Sequence, residues 1–514
     1  MLPMPPPEHF DFRRVIQRFG QETPEATCVT DVAGERWSWS RAASEMTSAA
    51  AALSVLGVSC KEPLGIMLPN SLDWLRAWWG ASVLGATIVA INPALRGETL
   101  RHVCTETALT KVVTTPELWH RIDELALPVS LVDPGSLRSD AHVSQSDWVE
   151  IHPWDSAIIN FTSGTTGPSK GVLTTHMHLH SAAATDGWGL TRSDVVFAHM
   201  PLFHTGGMAP AMAGWQAGGA VALRPQFRAS TFLQDVRSAG ATFVVLVGTM
   251  ASVLHATPPS PDDHDNPLRA VNMIPLIPDI SAFMKRFAVG EIQVMYGMTE
   301  VPQAMHHSWV GKVERPTAAG RLRPGFEARI VDEHDVALAD GEIGQLVLRA
   351  DRPWTITTEY VNRPSETARA WRNGWFHTGD LFSLEDGFFF FQDRATDSLR
   401  RRGENISSYE VERAVLAFPK VSEAACVGVR TDHGDQDVKI FVARSDGGPV
   451  DPAELITFLR QELPYFAVPR FVEVVAELPK TPTGRIRKDV LRDRGNTGTT
   501  WDREAAGIAV TRDY

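Results

Sequence analysis

Cysteine is scarce in this chain: Cys28, Cys60, Cys104 and Cys426 are the only four in 514 residues. They lie far apart and form no Cys-x-x-Cys pair. That spacing excludes a disulfide framework and a thiolate zinc cluster, and leaves four free or buried thiols as the expectation. Positive charge is also in short supply. Against 61 Asp and Glu stand 49 Lys and Arg, a formal net charge of -12. Such a balance argues against nonspecific nucleic-acid binding, which calls for a basic face. A local nucleotide pocket remains compatible with it, because a local field can oppose the global one. No long hydrophobic run is present; the most apolar window, FVVLVGTMASVL (243–254), is too short to span a bilayer. The opening MLPMPPPEHF lacks a basic region followed by an apolar run, so no secretory leader is predicted and a reducing cytoplasm is the expected compartment. Internal repeats and low-complexity segments are absent as well.

What is there is an ordinary soluble composition, 43% hydrophobic and 21% charged, in a chain too long for one compact core. In the first hundred residues helix-like and strand-like stretches alternate. SRAASEMTSAAAALSVLGV reads as a helix capped at Ser40, with Met46, Ala49, Ala50, Leu53 and Leu56 on one face and Gly57 at its end. PLGIML (63–68) reads as a buried strand, SLDWLRAWWGASVLG as a helix, and ATIVAIN as a second strand. This βαβ rhythm predicts an α/β fold with mostly parallel, doubly wound sheets to about residue 300. From GFEARIVDEHDVALADGEIGQLVLR (325–349) short strands with tight turns predict a small antiparallel or barrel-like piece. After residue 395 the chain reads as a small α/β unit, so the expected domains are 1–395 and 396–514. The last twenty or so residues, being polar, are expected to be mobile.

Five short stretches carry chemistry. FTSGTTGPSKGV (161–172) combines glycines that bring amide N–H groups close to a ligand, hydroxyls that donate to oxyanions, and the charge of Lys170. It is not a Walker A loop, since Ser169 precedes the lysine and Gly171 follows it. Read alone it favours phosphate binding only modestly over a flexible surface loop. VMYGMTE (294–300) offers an aromatic face for a purine at Tyr296 and an oxygen ligand for magnesium at Glu300. WFHTGDLF (375–382) offers Asp380 for ribose hydroxyls. DRATDSLRRRGENIS (393–407) and LPKTPTGRIRK (478–488) read alone as a charged linker and a basic turn.

Taken together, in this order and spacing, TSGTTGPSKG, YGMTE, HTGDL, GEN and PKTPTG resemble the core motifs of the adenylate-forming superfamily, which includes the AMP-forming acyl-CoA synthetases. RRRGENISSYEVE and PYFAVPRFVE look most like bacterial carnitine/crotonobetaine-type CoA ligases. The resemblance implies a large adenylate-forming N-terminal domain and a small mobile C-terminal domain. It implies an acid–thiol ligase that joins a carboxylic acid to ATP with Mg²⁺, then transfers the acyl group to CoA, and a place in fatty acid metabolism. Carried over residue by residue, Thr162, Ser163, Gly164, Thr165, Thr166, Gly167 and Lys170 hold phosphates. Tyr296 and Gly297 lie at the adenine, Thr299 contacts phosphate, Glu300 binds Mg²⁺, and Asp380 and Arg394 take the ribose. His204, in PLFHTGG, stands beside the acyl site. Gly403, Glu404 and Asn405 serve the thiol half-reaction after the small domain rotates. The acyl pocket is expected from 204–208, 246–250 and 297–302, with Trp215, Val247, Gly248, Met298 and Val301 among its walls.

The chain departs from the family pattern at several points. Arg485 stands where a lysine is usual in the last loop, with Lys488 as a neighbour able to substitute. Thr396 occupies the hinge, and Arg402 replaces the first glycine of GGEN. The adenine-side loop is NMIPLIPD (272–279), in place of a Gly- and Ala-rich one. The same motifs would serve an amide synthetase with an amine acceptor, a carrier-protein loader, or a nucleotide-binding relative with impaired catalysis. Oligomerisation is left open.

Overall fold

A computed structural model describes residues 3–162, 169–394, 399–401, 404–430, 436–444, 449–463, 465, 467–481 and 484–510. Its framework is two sheets built from the alternation seen in the sequence. The first has six strands in the order Ser130–Val132, Lys111–Thr114, Pro63–Met67, Thr87–Ala90, Ser156–Thr162, Lys170–Thr175. All its neighbours run parallel except the last pair, an antiparallel hairpin. The helix Leu72–Val83 is capped by Ser71, whose hydroxyl accepts from the Trp74 amide. It packs against the helix Trp39–Val55. The cap of that second helix lies two residues before the expected one: Ser38, not Ser40, accepts from the Arg41 amide. Met46, Ala49, Ala50 and Leu53 are buried as the periodicity requires, while Leu56 is exposed beyond the last turn.

The second sheet has thirteen strands. Its central strands Val195–Ala198, Phe243–Val247, Ala270–Ile274 and Glu291–Tyr296 are parallel, and their ends carry the site. From Met305–Val310 onward the same sheet continues antiparallel through Ala318–Leu322, Phe388–Arg394, Phe376–Glu385, Gly344–Ala350 and Phe326–Val331. The antiparallel piece expected from residue 325 thus begins one hairpin earlier. Residues 272–274 belong to a strand, so the stretch read as an adenine-side loop starts only after Ile274.

Beyond residue 398 a separate apolar cluster, with Leu399, Val411, Val438, Leu455 and Val472 among its members, forms the core of a smaller unit. Its four-stranded sheet is closed by Trp501–Asp502, paired with Phe471 and Val472. Arg503 is buried and donates to the Pro469 and Ile508 carbonyls. The expected mobility of the tail therefore fails for residues 501–508, because two backbone pairings and a buried guanidinium tie them down. Among the described residues no helix is long and apolar enough to cross a membrane, and all four cysteines are free.

Candidate active site

The phosphate-side stretch turns out to join two antiparallel strands. Thr162 pairs with Lys170 across the hairpin, so the loop follows a strand and leads into another strand, not into a helix as a Walker loop would. Ser163, Gly164, Thr165, Thr166 and Gly167 lie outside the described residues. At the hairpin's base, the ring Nε2 of His102 meets the Ser169 carbonyl at 2.8 Å. Lys170 extends its ammonium over the ring of Tyr360, 4.8 Å from the centroid. The Tyr360 hydroxyl donates to Oε1 of Glu300 at 2.8 Å. Burial, together with the Glu300 charge and this hydrogen bond, pushes the Tyr360 phenol well above its usual range, so it stays a donor. Lys170, Tyr360 and Glu300 thereby form one chain of contacts between elements far apart in sequence. Tyr360 itself is placed by backbone bonds around the second hairpin strand: Leu173 N–H donates to the Glu359 carbonyl, and Val361 N–H to that of Gly171. The Glu300 carbonyl is held by the Thr357 amide at 2.8 Å.

Tyr296 and Asp380, four strands apart in the sheet, meet directly. The Tyr296 hydroxyl donates to Asp380 Oδ2 at 2.7 Å, and its ring meets Phe382 edge-on at 4.8 Å between centroids. Arg394 pairs with Asp380 along the backbone, and only its backbone position is described. Gly297 is exposed at the strand exit, and Thr299 is half-buried beside the buried Glu300. Tyr296 and Glu300 thus lie at one strand end, and Asp380 meets Tyr296 there from a strand four places away.

His204 caps the helix Thr205–Gln216. Desolvation pushes its imidazole down to about 4, so it is neutral at physiological pH. Two buried asparagines fix the segment before it. Asn70 donates to the Met200 and Arg224 carbonyls at 2.9 and 3.1 Å and accepts from the Leu202 amide at 2.8 Å. Asn160, in the strand leading to the phosphate loop, donates to the Phe203 carbonyl at 3.1 Å. Gly207 is required by close approach: a Cβ there would lie 2.3 Å from the Pro201 carbonyl oxygen. Trp215, expected as a pocket wall, is instead a core residue. It is fully buried among Phe12, Trp78 and Trp79 at the far end of the helix, and its indole N–H donates to the Cys28 carbonyl.

The basic loop of the small domain reaches this region. Thr249 Oγ1 meets the Gly484 carbonyl at 3.4 Å, where the helix Gly248–Ala256 begins. Gly484 has φ +79°, the left-handed turn that presents Arg485. The Arg485 amide is bonded to Thr481 Oγ1 at 3.1 Å, and its side chain is exposed. Lys488 is ill placed to substitute for it. Its ammonium is held by Ser408 Oγ at 2.6 Å and Glu412 at 2.8 Å within the small domain. For Glu404 and Asn405 only the backbone is described, in a short strand; Gly403, Arg402 and Thr396 lie outside the described residues.

The donor set suits a hard, oxygen-seeking cation only in part. Among the described residues no group of three His, Cys, Asp or Glu side chains could hold a metal. A single carboxylate, Glu300, fits the mode in which magnesium is bound by one or two carboxylates plus substrate phosphates. Sequence reasoning missed Tyr360, Asn70 and Asn160. Asn70 lies between the strand PLGIML and the helix SLDWLRAWWGASVLG, and nothing local marks an asparagine that acts 130 residues away.

Residues 16–360 match the model of the AMP-binding enzyme family, and residues 410–485 that of the AMP-binding enzyme C-terminal domain. Crotonobetaine/carnitine–CoA ligase of Salmonella paratyphi A is 31% identical over 462 residues, covering 85% of this chain and 89% of the relative. The protein of the same description from Citrobacter koseri is 32% identical over 464 residues, with the same coverage. Among solved structures, a benzoate CoA ligase from Burkholderia xenovorans superposes with a TM-score of 0.84 at 24% identity, over 94% of this chain and 99% of that one.

Proposed function

The chain belongs to the AMP-binding enzyme family, and from that premise we propose that it activates a small or medium carboxylic acid with ATP and transfers the acyl group to CoA. The observation that carries this reading is the convergence of Lys170, Tyr360 and Glu300 beside the Tyr296–Asp380 pair. In the first half-reaction a carboxylate oxygen attacks the α-phosphorus, the bond to the β-phosphate oxygen breaks, and pyrophosphate leaves. In the second, the CoA sulfur attacks the acyl carbon, its proton is lost to solvent, and AMP leaves. The difficulty in the first step is the meeting of like charges, and the remedy is electrostatic.

In this reading Lys170, Thr162 and the hydroxyls at Ser163, Thr165 and Thr166 neutralise the β- and γ-phosphates, with Gly164 and Gly167 letting the backbone close on them. Tyr296 and Gly297 border the adenine, and Asp380, with Arg394, holds the ribose. Thr299 and Glu300 face the phosphates; Glu300 would hold Mg²⁺, which supplies charge neutralisation when bound. His204, neutral at working pH, borders the carboxylate without repelling or trapping it as an ion pair. Arg485 would approach the carboxylate from the small domain, a role supported by the contact of Gly484 with Thr249, and Gly403, Glu404 and Asn405 would act in the thiol step. The division into 1–395 and 396–514 belongs to the same reading and is supported by the separate core beyond residue 398. Four free cysteines, one of them exposed, fit a reducing cytoplasm.

Carboxylate-dependent ATP–pyrophosphate exchange tests the first half; its absence across a broad acid panel would overturn the proposal. Adding CoA and detecting the thioester by mass tests the second, and an amide formed only with an added amine would move the acceptor. Arg485→Ala should slow exchange by about 10- to 100-fold while changing thioester formation from preformed acyl-adenylate only a few-fold. Arg485→Lys should retain or raise activity. Equal slowing of both half-reactions by the alanine would remove Arg485 from its role.

A further inference from the structure

Asn272 occupies the middle of the strand Ala270–Ile274, opposite Val245 on one side and Gln293 on the other. Its side chain is fully buried, and neither its Nδ2 nor its Oδ1 has a hydrogen-bond partner among the described residues. Gln293 is 1% exposed and donates its amide to the Trp188 carbonyl at 3.1 Å and to Glu291 at 2.8 Å, which leaves Oε1 without a donor. Two buried amides side by side with three unmet polar atoms weaken a fold. Leucine would fill the Asn272 site with no such penalty, so packing does not explain the asparagine.

Direction along the strand explains where the amide acts. Alternation puts Asn272 on the same face as Ala270 and Ile274. That face, with Val245 and Met295 of the neighbouring strands, packs with Met208 and Met212 of the helix that starts at His204. Methionine side chains yield readily to an inserted group. Asn272 is level with Gln293, three residues below Tyr296 at the strand's end. At roughly 3.3 Å per residue the amide sits about 10 Å below the level at which an acyl-adenylate would form.

We propose that Asn272, with Gln293, recognises a neutral hydrogen-bonding group at the far end of the acid, a hydroxyl, carbonyl or amide about 7–10 Å from its carboxylate. This rests on the adenylating reading above and adds the class of acid to it. A carboxamide both donates and accepts, which suits such a group. Glu291, which accepts from Gln293, is already held by Arg269 at 3.1 Å and Ser308 at 2.6 Å, so neither member of that ion pair is left to neutralise a charged tail.

The experiment compares matched acids, ω-hydroxyalkanoates against alkanoates of equal length, in the exchange assay. The wild-type protein should favour the hydroxylated member by at least about tenfold in kcat/KM, because a site built to bond a polar group rejects the analogue lacking it. Asn272→Leu should lose that preference and keep or gain activity on the plain alkanoate, which also reports that the variant is folded. A wild-type preference under threefold, or an unchanged preference in Asn272→Leu, would overturn the inference while leaving adenylation intact. Should Asn272→Leu not fold, Gln293→Met read on the same pair decides in the same way. Exchange with other acids of the broad panel but with neither of these series would overturn this inference alone, and exchange with no acid at all would overturn the adenylating reading as well.

Discussion

Tyr360 shows what a single side chain adds to a site assembled from motifs. The chain has only five tyrosines, and two of them, Tyr296 and Tyr360, each donate to a carboxylate of the candidate site. Removing the Tyr360 hydroxyl leaves a 5% exposed Glu300 with one donor fewer and leaves the ring under Lys170 in place. Tyr360→Phe should therefore lower exchange about tenfold and raise the magnesium concentration needed for half-maximal rate. Glu300→Gln should cost at least about a hundredfold. Both are read from initial rates across a magnesium titration; a Tyr360→Phe rate within twofold of wild type at every concentration would refute the role. Tyr296, Asp380 and Glu300 stood out as candidates only through the five motifs taken together, since each run alone fits an ordinary turn as well. Tyr360 sits in TTEYVNRP, where nothing local signals chemistry, and only its bridge to Val172 brings it to Lys170.

At the scale of elements, strand and helix existence followed from hydrophobic period, while ends and connections did not. The cap of the helix Trp39–Val55 shifted from Ser40 to Ser38 because both serines can cap, and in the fold Ser38 is the one whose hydroxyl receives the Arg41 amide. The glycine-rich stretch could be told from a Walker loop by sequence, but its hairpin setting needed the pairing of Thr162 with Lys170. Asn160 is the link between that hairpin and the His204 segment. Asn160→Ala should remove one buried hydrogen bond, worth about 1–2 kcal/mol of stability. Exchange activity should fall further than that loss explains, since the His204 segment is freed as well. Urea unfolding and exchange kinetics on the same preparation check the two parts; a rate equal to wild type would limit Asn160 to a structural role.

On the scale of the molecule, buried histidines set a pH response. Burial pushes His178 down to about 3; it pushes His199 down to about 4 despite a hydrogen bond to the Val245 carbonyl that opposes the shift. In the unfolded chain both titrate near 6.5. Above that value neither state binds the proton, so their contribution to stability is complete. Below it the unfolded chain takes up protons that the folded chain refuses until about pH 4, and stability falls by about 1.4 kcal/mol per pH unit for each group. Urea midpoints should drop between pH 7.5 and 5.5, and His178→Leu should flatten that slope; an unchanged slope would refute the assignment. Asp194 acts in a separate, lower window. Burial raises its pKa, but bonds from Arg269, Thr242 and Thr191 outweigh this and bring it to about 2, so its share is lost only as pH falls below about 4. The α/β class, with mostly parallel sheets giving way to an antiparallel piece, was legible from periodicity over long windows; the division of the strands into a six-stranded and a thirteen-stranded sheet was not. The approach of Gly484 to Thr249 was not, because a contact between separately folding cores leaves no periodic trace.

The stitching of residues 354–361 onto the second strand of the phosphate hairpin also bears on the order of folding. Thr175 bonds to the Trp354 carbonyl and Thr357 to that of Leu173, across 179 and 184 residues of chain. Contacts of such sequence separation close large loops and form late. The pairing of Val29 with Val221 in the second sheet spans a comparable length of chain. Placing Tyr360 against Lys170 therefore carries the closure cost of a long loop, which the two threonine bonds help to meet.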